Sequence, residues 1–167
     1  MTWDLPDNSN SDAFRRTLGC FATGVAVAMT VTPEGQKVGI TISSFNSVSL
    51  EPPLVLWSIA KSADTYAAFA RADYFSVNVL AQHQQDLSLR FSTPGVDRFA
   101  ALDCTSGIGG VPLLREFAAC FECSTEHRYE GGDHLIIVGR VHRFEDRDVD
   151  PLIYFRGLYH AKGEPAD

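Results

Sequence analysis

Residues 38–59 (VGITISSFNSVSLEPPLVLWSI) constrain the fold most, because they join two different strand patterns through a forced turn. Successive strand side chains point to opposite faces, so the first half has an apolar face and a hydroxyl-rich face. The apolar positions are Ile40, Ile42, Val48 and Leu50, and the hydroxyl-rich face holds Thr41, Ser43, Phe45, Ser47 and Ser49. Glu-Pro-Pro at 51–53 turns the chain, since proline lacks an N–H and restrains its predecessor. Residues 54–59 are almost wholly apolar, which is typical of a strand buried on both faces.

The rest of the chain is predicted to be mainly strands with a few helices. A short helix begins near Ser11 and carries Phe14, Leu18 and Phe21 at helical spacing. Further strands are predicted at 22–32, 74–80, 117–129, 135–144 and 151–159, helices at 62–70 and 81–92, and a long loop at 93–112. Glycines at 131 and 132 favour a hairpin turn over residues 130–133. This order predicts a mainly β fold, a barrel with flanking helices.

Length and charge narrow the class of protein. The 167 residues predict one domain over 11–162, with a flexible N-terminus at 1–10 and a tail at 163–167. The net charge of −7 argues against a nucleic-acid-binding surface. No apolar run approaches the roughly 18 residues of a membrane-spanning helix. The first residues lack the pattern of a signal peptide, so the predicted location is the cytoplasm.

The cysteines and glycines give no metal or nucleotide motif. Cys120 and Cys123 have C-x-x-C spacing, but they lie in a strand-like run where residues three apart face opposite ways. We interpret them, with Cys20 and Cys104, as structural thiols of a reducing compartment and predict no metal site. Residues 107–110 (GIGG) do not match G-x-G-x-x-G.

Five motifs in order resemble the flavin reductase family. They are ATGV at 22–25, GITISSFNSVSLEPPLV at 39–55, FSVNVL at 75–80, GDH at 132–134 and YFRG at 154–157. Members of this family are the small reductase components of two-component flavin monooxygenases, and they hold FMN or FAD on a split β-barrel. The resemblance covers most of residues 12–160 and implies the same fold. Without it, the pattern of the central segment favours a half-solvated strand beside a core strand.

The resemblance also implies a set of flavin-binding residues. The matching positions are Gly39, Ile40, Thr41, Ser43 and Ser44, then Ser58, Ile59 and Ala60, then Asp64 and Thr65, and finally Arg90 and Phe91. A carboxylate at Asp64 would repel the flavin phosphate, so we expect Asp64 to cap the helix and leave Lys61 and Thr65 for the phosphate. An arginine such as Arg90 binds phosphates bidentately, although an exposed arginine near a helix end is commonly only solvated.

His134 and the YFRG segment are the candidates for the nicotinamide side of the site. The resemblance places His134 beside the nicotinamide or flavin ring as the candidate catalytic residue; the alternative is a turn histidine bonded to Asp133 or to backbone. Tyr154, Phe155, Arg156 and Gly157 match the nicotinamide-binding segment of the family. Strand neighbours face opposite ways, so we expect one of the two aromatic residues to lie in the core.

The implied function is an NAD(P)H-dependent flavin reductase that supplies reduced FMN or FAD to a separate monooxygenase component. The resemblance also implies a homodimer. The alternatives are a flavin-binding protein of the same fold without turnover, and an oxidase of the same broad fold. The GDH and YFRG matches argue against the oxidase. The sequence leaves the choices of FMN or FAD and of NADH or NADPH open.

Overall fold

A seven-stranded antiparallel sheet organises the computed structural model, which describes residue 6 and residues 10–163. The strands are β1 (Thr23–Gly24), β2 (Ala26–Val31), β3 (Lys37–Ile42), β4 (Asn46–Leu50), β5 (Pro53–Ala60), β6 (Tyr74–Val79), β7 (Cys104–Ser106), β8 (Pro112–Leu114), β9 (Ala119–Gly131), β10 (His134–Asp146), β11 (Ile153–Phe155) and β12 (Leu158–His160). The helices are α1 (Ser11–Leu18), α2 (Tyr66–Phe69) and α3 (Gln85–Ser92). Apart from Asn10, Pro6 and Gly163, the predicted flexible N-terminus (1–10) and tail (163–167) lie outside the described residues.

The large sheet has the strand order β3-β2-β6-β9-β10-β5-β4, so its two end strands are consecutive in the chain. Laid flat, six gaps of about 4.8 Å would separate these end strands by about 29 Å. Ile42 and Asn46 are four Cα steps apart, and four steps span about 14 Å at most. The sheet must therefore curl until its ends approach each other. The two end strands do not pair with each other, and an open seam remains between β3 and the opposite end of the sheet, which is formed by β5 and β4.

Ser44 lies in the segment that crosses this seam. Its hydroxyl donates to the Ser58 carbonyl at 3.1 Å and accepts from the Ser58 N–H at 3.0 Å. The β4–β5 ladder begins only at Asn46, which pairs with Leu56. The Ser44 side chain thus supplies the two bonds that a further ladder residue would otherwise make, and it fastens the crossing to β5.

Hydrophobic residues cover both faces of the sheet. On one face Trp57 packs edge-on against Phe69 and Phe75 at ring distances of 4.9 and 5.9 Å. On the other face, Met29 and Leu80 form a cluster with Phe91 of α3. Cys123 belongs to the first cluster and Cys120 to the second, which confirms the prediction that they face opposite ways. Burial raises the pKa of each of these two thiols to about 12.

The mainly β prediction is confirmed, but several element boundaries were wrong. The predicted helix over 62–70 is only Tyr66–Phe69, and the helix over 81–92 begins at Gln85. The predicted loop over 93–112 contains β7, and β8 begins at its last residue, Pro112. The predicted strand over 151–159 is a hairpin, because positive φ angles at Arg156 (50°) and Gly157 (83°) turn the chain between β11 and β12.

Strand β4 departs from the predicted apolar face. The ladder between β4 and β5 shifts register between Ser47 and Ser49. Val48 is half exposed and Leu50 is 93% exposed, whereas Ile42 on β3 is buried as predicted. A bulge of this kind reorients the side chains that follow it.

Glycine at position 39 is required by packing. A Cβ there would lie 2.5 Å from the Phe91 ring, which is completely buried. Strand β3 can therefore lie directly on α3 only without a side chain at this point.

In the part of the chain that the structure describes, no helix is long and apolar enough to cross a bilayer.

We expect Gly39→Ala to lower the free energy of unfolding by about 1–3 kcal/mol, because the added methyl overpacks the buried Phe91. Gly24→Ala is the matched control, since a Cβ at Gly24 meets nothing within 4 Å; its change should stay within about 0.5 kcal/mol. Urea unfolding followed by tryptophan fluorescence measures both. Equal stabilities for the two variants would contradict this account of Gly39.

We expect Ser44→Ala to cost about 1–2 kcal/mol, because it removes both bonds to Ser58 and leaves a backbone N–H without a partner. Ser43→Ala, at the exposed neighbouring position, should change stability by less than about 0.5 kcal/mol. The same urea unfolding experiment compares them, and an Ser44→Ala protein as stable as Ser43→Ala would show that the crossing does not need this hydroxyl.

Candidate functional site

The open edge of β3 forms one wall of the candidate site. The Gly39 carbonyl turns away from β2 and accepts a hydrogen bond from Arg98 Nη1 at 3.3 Å. In an antiparallel ladder the N–H and C=O of one residue point the same way, and the direction alternates along the strand. The N–H groups of Gly39 and Thr41 and the Thr41 carbonyl therefore also face the open seam. This edge offers both donors and acceptors to a planar polar ligand.

The side chains of β3 divide between the two faces as predicted. Ile40 and Ile42 pack into the cluster around Trp57. The Thr41 hydroxyl donates to the Ser88 carbonyl of α3 at 2.7 Å. Ser43 is exposed on the crossing, while the single proton of the Ser44 hydroxyl is committed to Ser58. Of the predicted flavin-binding residues here, Thr41 and Ser44 thus have their side chains in structural bonds and present backbone groups.

The end of β5 lies beside the β9–β10 turn. Ala60 pairs with His134, and the Lys61 N–H donates to the Asp133 carbonyl at 2.9 Å. The Ile59 side chain is buried in the core, so only its backbone is available to a ligand. This register brings Ser58, Ile59 and Ala60 next to the GDH motif.

Lys61 is held by the hairpin turn. Its ammonium donates to the Gly132 carbonyl at 2.8 Å and forms an ion pair with Glu130. The hydrogen bond to Glu130 raises the pKa of Lys61. The ammonium therefore faces the turn in this structure, away from the role in phosphate binding that we predicted for it.

His134 is half exposed at the start of β10 and its Nδ1 lies 2.7 Å from Asp133 Oδ1. The same bond lowers the pKa of Asp133. A carboxylate on Nδ1 fixes the orientation of the ring and directs Nε2 outward. The bond to Asp133 that we considered from sequence is present, and it is compatible with a functional Nε2.

A cleft of about 920 Å³ opens beside Gly39 and is lined by Asp64, Thr65 and Arg98. Arg98 forms a forked pair with Asp64, with Nη2 at 3.1 Å from Oδ1 and 2.9 Å from Oδ2. The expectation that Asp64 caps the helix is wrong: Thr65 is at the N-cap, and the Asp64 carboxylate faces Arg98.

Thr65 is the most ligand-like side chain of the cleft. It is 7% exposed, and its hydroxyl has no hydrogen-bond partner among the described residues. A buried hydroxyl without a partner is costly. A ligand oxygen in the cleft would supply the missing bond.

Phe91 is buried and Arg90 contacts a neighbouring loop. Phe91 has no exposed surface and lies against Gly39, so its predicted contact with the flavin gives way to support of β3 from beneath. Arg90 is exposed and donates to the Ala100 carbonyl at 3.3 Å. It anchors the loop that carries Arg98.

The YFRG segment forms the β11–β12 hairpin. Tyr154 is partly buried and packs against the cluster beneath α3, whereas Phe155 does not belong to that cluster. The Phe155 ring lies near His160 and beneath the Arg156 guanidinium at 5.5 Å. The backbone N–H of Arg156 donates to the Gly19 carbonyl at 2.9 Å, and Gly157 completes the turn.

Hydrogen bonds connect this hairpin to β3. Tyr159 and Ser88 share a 2.8 Å hydroxyl contact, and the Ser88 carbonyl accepts from Thr41. Tyr159 in turn packs on Tyr154 at 5.4 Å. The predicted nicotinamide segment and the predicted flavin strand are therefore positioned by the same helix, α3.

The predicted residues thus fall into three connected groups: the β3 edge with the β5 end and His134, the cleft with Asp64 and Thr65, and the β11–β12 hairpin. Arg98 was missed, because it lies 34 residues from Asp64 inside a segment predicted as loop. Only an aromatic–charged triplet, Asp97-Arg98-Phe99, marks it in the sequence. Among residues 10–163, no group of three or more His, Cys, Asp or Glu side chains is placed to hold a metal ion.

Comparisons with known proteins agree with this geometry. A family model described as a flavin reductase like domain matches residues 18–163. The chain is 46% identical over 155 residues to the FMN reductase (NADH) SmoA of Agrobacterium fabrum, covering 93% of this chain and 88% of that protein. It is 43% identical over 149 residues to Stc3, a stachydrine N-demethylase reductase subunit of Rhizobium meliloti, covering 89% of this chain. The chain spans only 65% of the length of Stc3.

The fold also matches solved structures. The NADH:FAD oxidoreductase SgcE6 of Streptomyces globisporus, solved in complex with NAD and FAD fragments, superposes with a TM-score of 0.90 at 32% identity. The match covers 99% of this chain and 100% of that one. These likenesses confirm the predicted split-barrel class, with a sheet that is not closed by hydrogen bonds. The chain belongs to the flavin reductase family.

Proposed function

We propose that this protein is an NAD(P)H-dependent flavin reductase that supplies reduced flavin to a separate monooxygenase component. The observation that carries the proposal is the open seam of the sheet, where the unpaired edge of β3 meets the end of β5 in a member of the flavin reductase family. The names of its relatives SmoA and Stc3, an FMN reductase and a demethylase reductase subunit, support the same activity class.

The residues present fit a flavin. Alternating backbone donors and acceptors at Gly39 and Thr41 suit the polar edge of an isoalloxazine ring, and the buried Thr65 hydroxyl lacks a partner that a phosphate oxygen would supply. The small, exposed Ser43 leaves room for a second ring to stack. We propose that these residues, with Ser58 and Ala60, form the flavin site.

The bound cofactors supply the chemistry: a hydride, carrying two electrons and a proton, passes from the dihydronicotinamide to flavin N5, and a solvent proton completes the reduced flavin. The protein contributes position and electrostatics. Backbone N–H groups along β3 stabilise negative charge that develops on the flavin. His134, oriented by Asp133, would present Nε2 to the ring edge, where the imidazolium form donates a hydrogen bond to the flavin.

For the nicotinamide we propose the β11–β12 hairpin, with Phe155 as the stacking surface and Arg156 meeting the pyrophosphate. Phe155 is half-buried and Arg156 is exposed, whereas the Tyr154 side chain packs against the hydrophobic cluster beneath α3. Arg156 must leave the sulfur of Cys20, 3.4 Å from its Nη2, to make this contact. Two relatives, SmoA and SgcE6, carry NADH in their names, and we propose NADH as the preferred donor.

We further propose a homodimer. Exposed apolar residues at neighbouring positions of the end strand β4 (Val48 and Leu50) and of α1 (Phe14 and Leu18) support it, because adjoining exposed apolar side chains commonly mark protein–protein contacts. A monomeric mass by light scattering would contradict it.

The monooxygenase is proposed to receive reduced flavin by diffusion or brief contact. The free cysteines suit the reducing cytoplasm, our proposed location.

We expect purified protein to oxidise NADH, followed at 340 nm, only when FMN, FAD or riboflavin is added. The same plate repeated with NADPH identifies the preferred donor. Flavin binding by fluorescence quenching without NADH oxidation would replace the reductase with a flavin-binding protein. Absence of both binding and turnover would reject the flavin site itself.

We expect His134→Ala to slow flavin reduction, measured by stopped flow at saturating NADH, by about 10–100-fold, the range of a lost charge-assisted hydrogen bond. His83→Ala is the matched control, because His83 is exposed and pairs only with Glu116. A rate equal to that of the control would remove His134 from the mechanism and leave it as a turn residue.

A further inference from the structure

Arg98 is the most heavily bonded cation near the candidate site. Its side chain is only 11% exposed, against 49% for its partner Asp64. Besides the fork on Asp64, Nη1 donates to the Gly39 carbonyl at 3.3 Å and Nη2 to the Thr93 carbonyl at 3.2 Å. The guanidinium is thus fixed between the edge of β3 and the residue that precedes Thr65.

The charges that line the cleft make Arg98 the main group that can neutralise Asp64. Four acidic residues (Glu34, Asp64, Asp73 and Asp97) and three basic residues (Lys37, Arg71 and Arg98) line it. Lys37 and Arg71 are exposed, so water and salt screen them. Asp64 adjoins Thr65, whose buried hydroxyl has no partner. An anion bound to that hydroxyl would meet the Asp64 charge unless Arg98 neutralised it.

We propose that the Arg98–Asp64 pair sets how strongly this protein prefers phosphorylated flavins over riboflavin. This inference rests on the proposed flavin site. In the pair, the carboxylate accepts from both Nη groups of the arginine, and the arginine cancels the repulsion between the carboxylate and a phosphate on Thr65. The cleft therefore accepts a phosphate without attracting it strongly. Such moderate affinity suits a protein that must release reduced flavin.

We expect substitutions of Asp64 and of Arg98 to change the preference for FMN over riboflavin in opposite directions. Asp64→Asn leaves the Arg98 charge unopposed, and we expect the preference for FMN over riboflavin to rise about tenfold. Arg98→Leu leaves the Asp64 charge unopposed, and we expect the same preference to fall about tenfold. These changes are the size expected for one partly screened charge interaction. The double variant D64N/R98L carries neither charge and should return to within about threefold of the original preference.

The experiment measures the ratio of the riboflavin and FMN dissociation constants by flavin fluorescence quenching, at low and high salt. Asp97→Asn is the matched control, because Asp97 lines the same cleft but accepts from the Phe99 N–H at 3.1 Å and makes no bond to Arg98. Its ratio should change by less than about twofold. High salt should reduce the gain of Asp64→Asn, since it screens the exposed charge.

Opposite shifts in the two single variants, with Asp97→Asn unchanged, support the proposal. Shifts in the same direction, no shift, or an equal effect of Asp97→Asn overturn it. Arg98 is mostly buried, so if Arg98→Leu does not fold, the comparison of Asp64→Asn with Asp97→Asn decides alone. Riboflavin binding distinguishes a failure of the proposed flavin site from a failure of the proposed role of the Arg98–Asp64 pair. If the unaltered protein binds neither FMN nor riboflavin, the flavin site fails; if it binds both and the variants do not separate them, only the role of the pair fails.

Discussion

The short crossing between β3 and β4 is the constraint on which the rest of the structure depends. Because the two end strands of a seven-stranded sheet are joined by only three residues, the sheet is forced to curl and to leave a seam between its ends. Ser44 fastens that crossing to Ser58. The seam leaves backbone groups of β3 without strand partners, and such groups need either water or a ligand. The proposed binding site follows from the way in which the sheet fails to close.

The same seam explains how an acidic protein could hold an anionic cofactor. The chain carries a net charge of −7 and offers little general attraction to phosphate. Binding must then come from local donors, namely backbone N–H groups and the Thr65 hydroxyl, beside a carboxylate whose charge Arg98 neutralises. None of these attracts an anion from a distance. The arrangement favours an exchangeable flavin over a permanently bound one, as the proposed supply of reduced flavin would require.

The alternation of polar and apolar residues and the continuous apolar runs were enough to predict most strands, because the burial of one or both faces of a strand imposes these patterns locally. The roles of individual side chains were harder to predict. Thr41 lies on the predicted hydroxyl-rich face and Ser44 was predicted to bind the flavin, yet their hydroxyls bond α3 and Ser58, which depends on the curl of the sheet. Lys61 faces the hairpin turn because the Ala60–His134 register brings Gly132 beside it. Arg98 depends on a partner 34 residues away, which no local pattern reveals.

The central claim is that the unpaired edge of β3 binds the flavin, and residue-resolved amide hydrogen exchange with and without saturating FMN tests it most directly. The account predicts that the amides of Gly39 and Thr41 exchange freely in the apoprotein and are markedly slowed by FMN, since they lack strand partners until a ligand supplies them. The neighbouring amides of Ile40 and Ile42, already bonded to β2, should change far less. Bound FMN that leaves the exchange of Gly39 and Thr41 unaltered would place the flavin elsewhere and contradict the account.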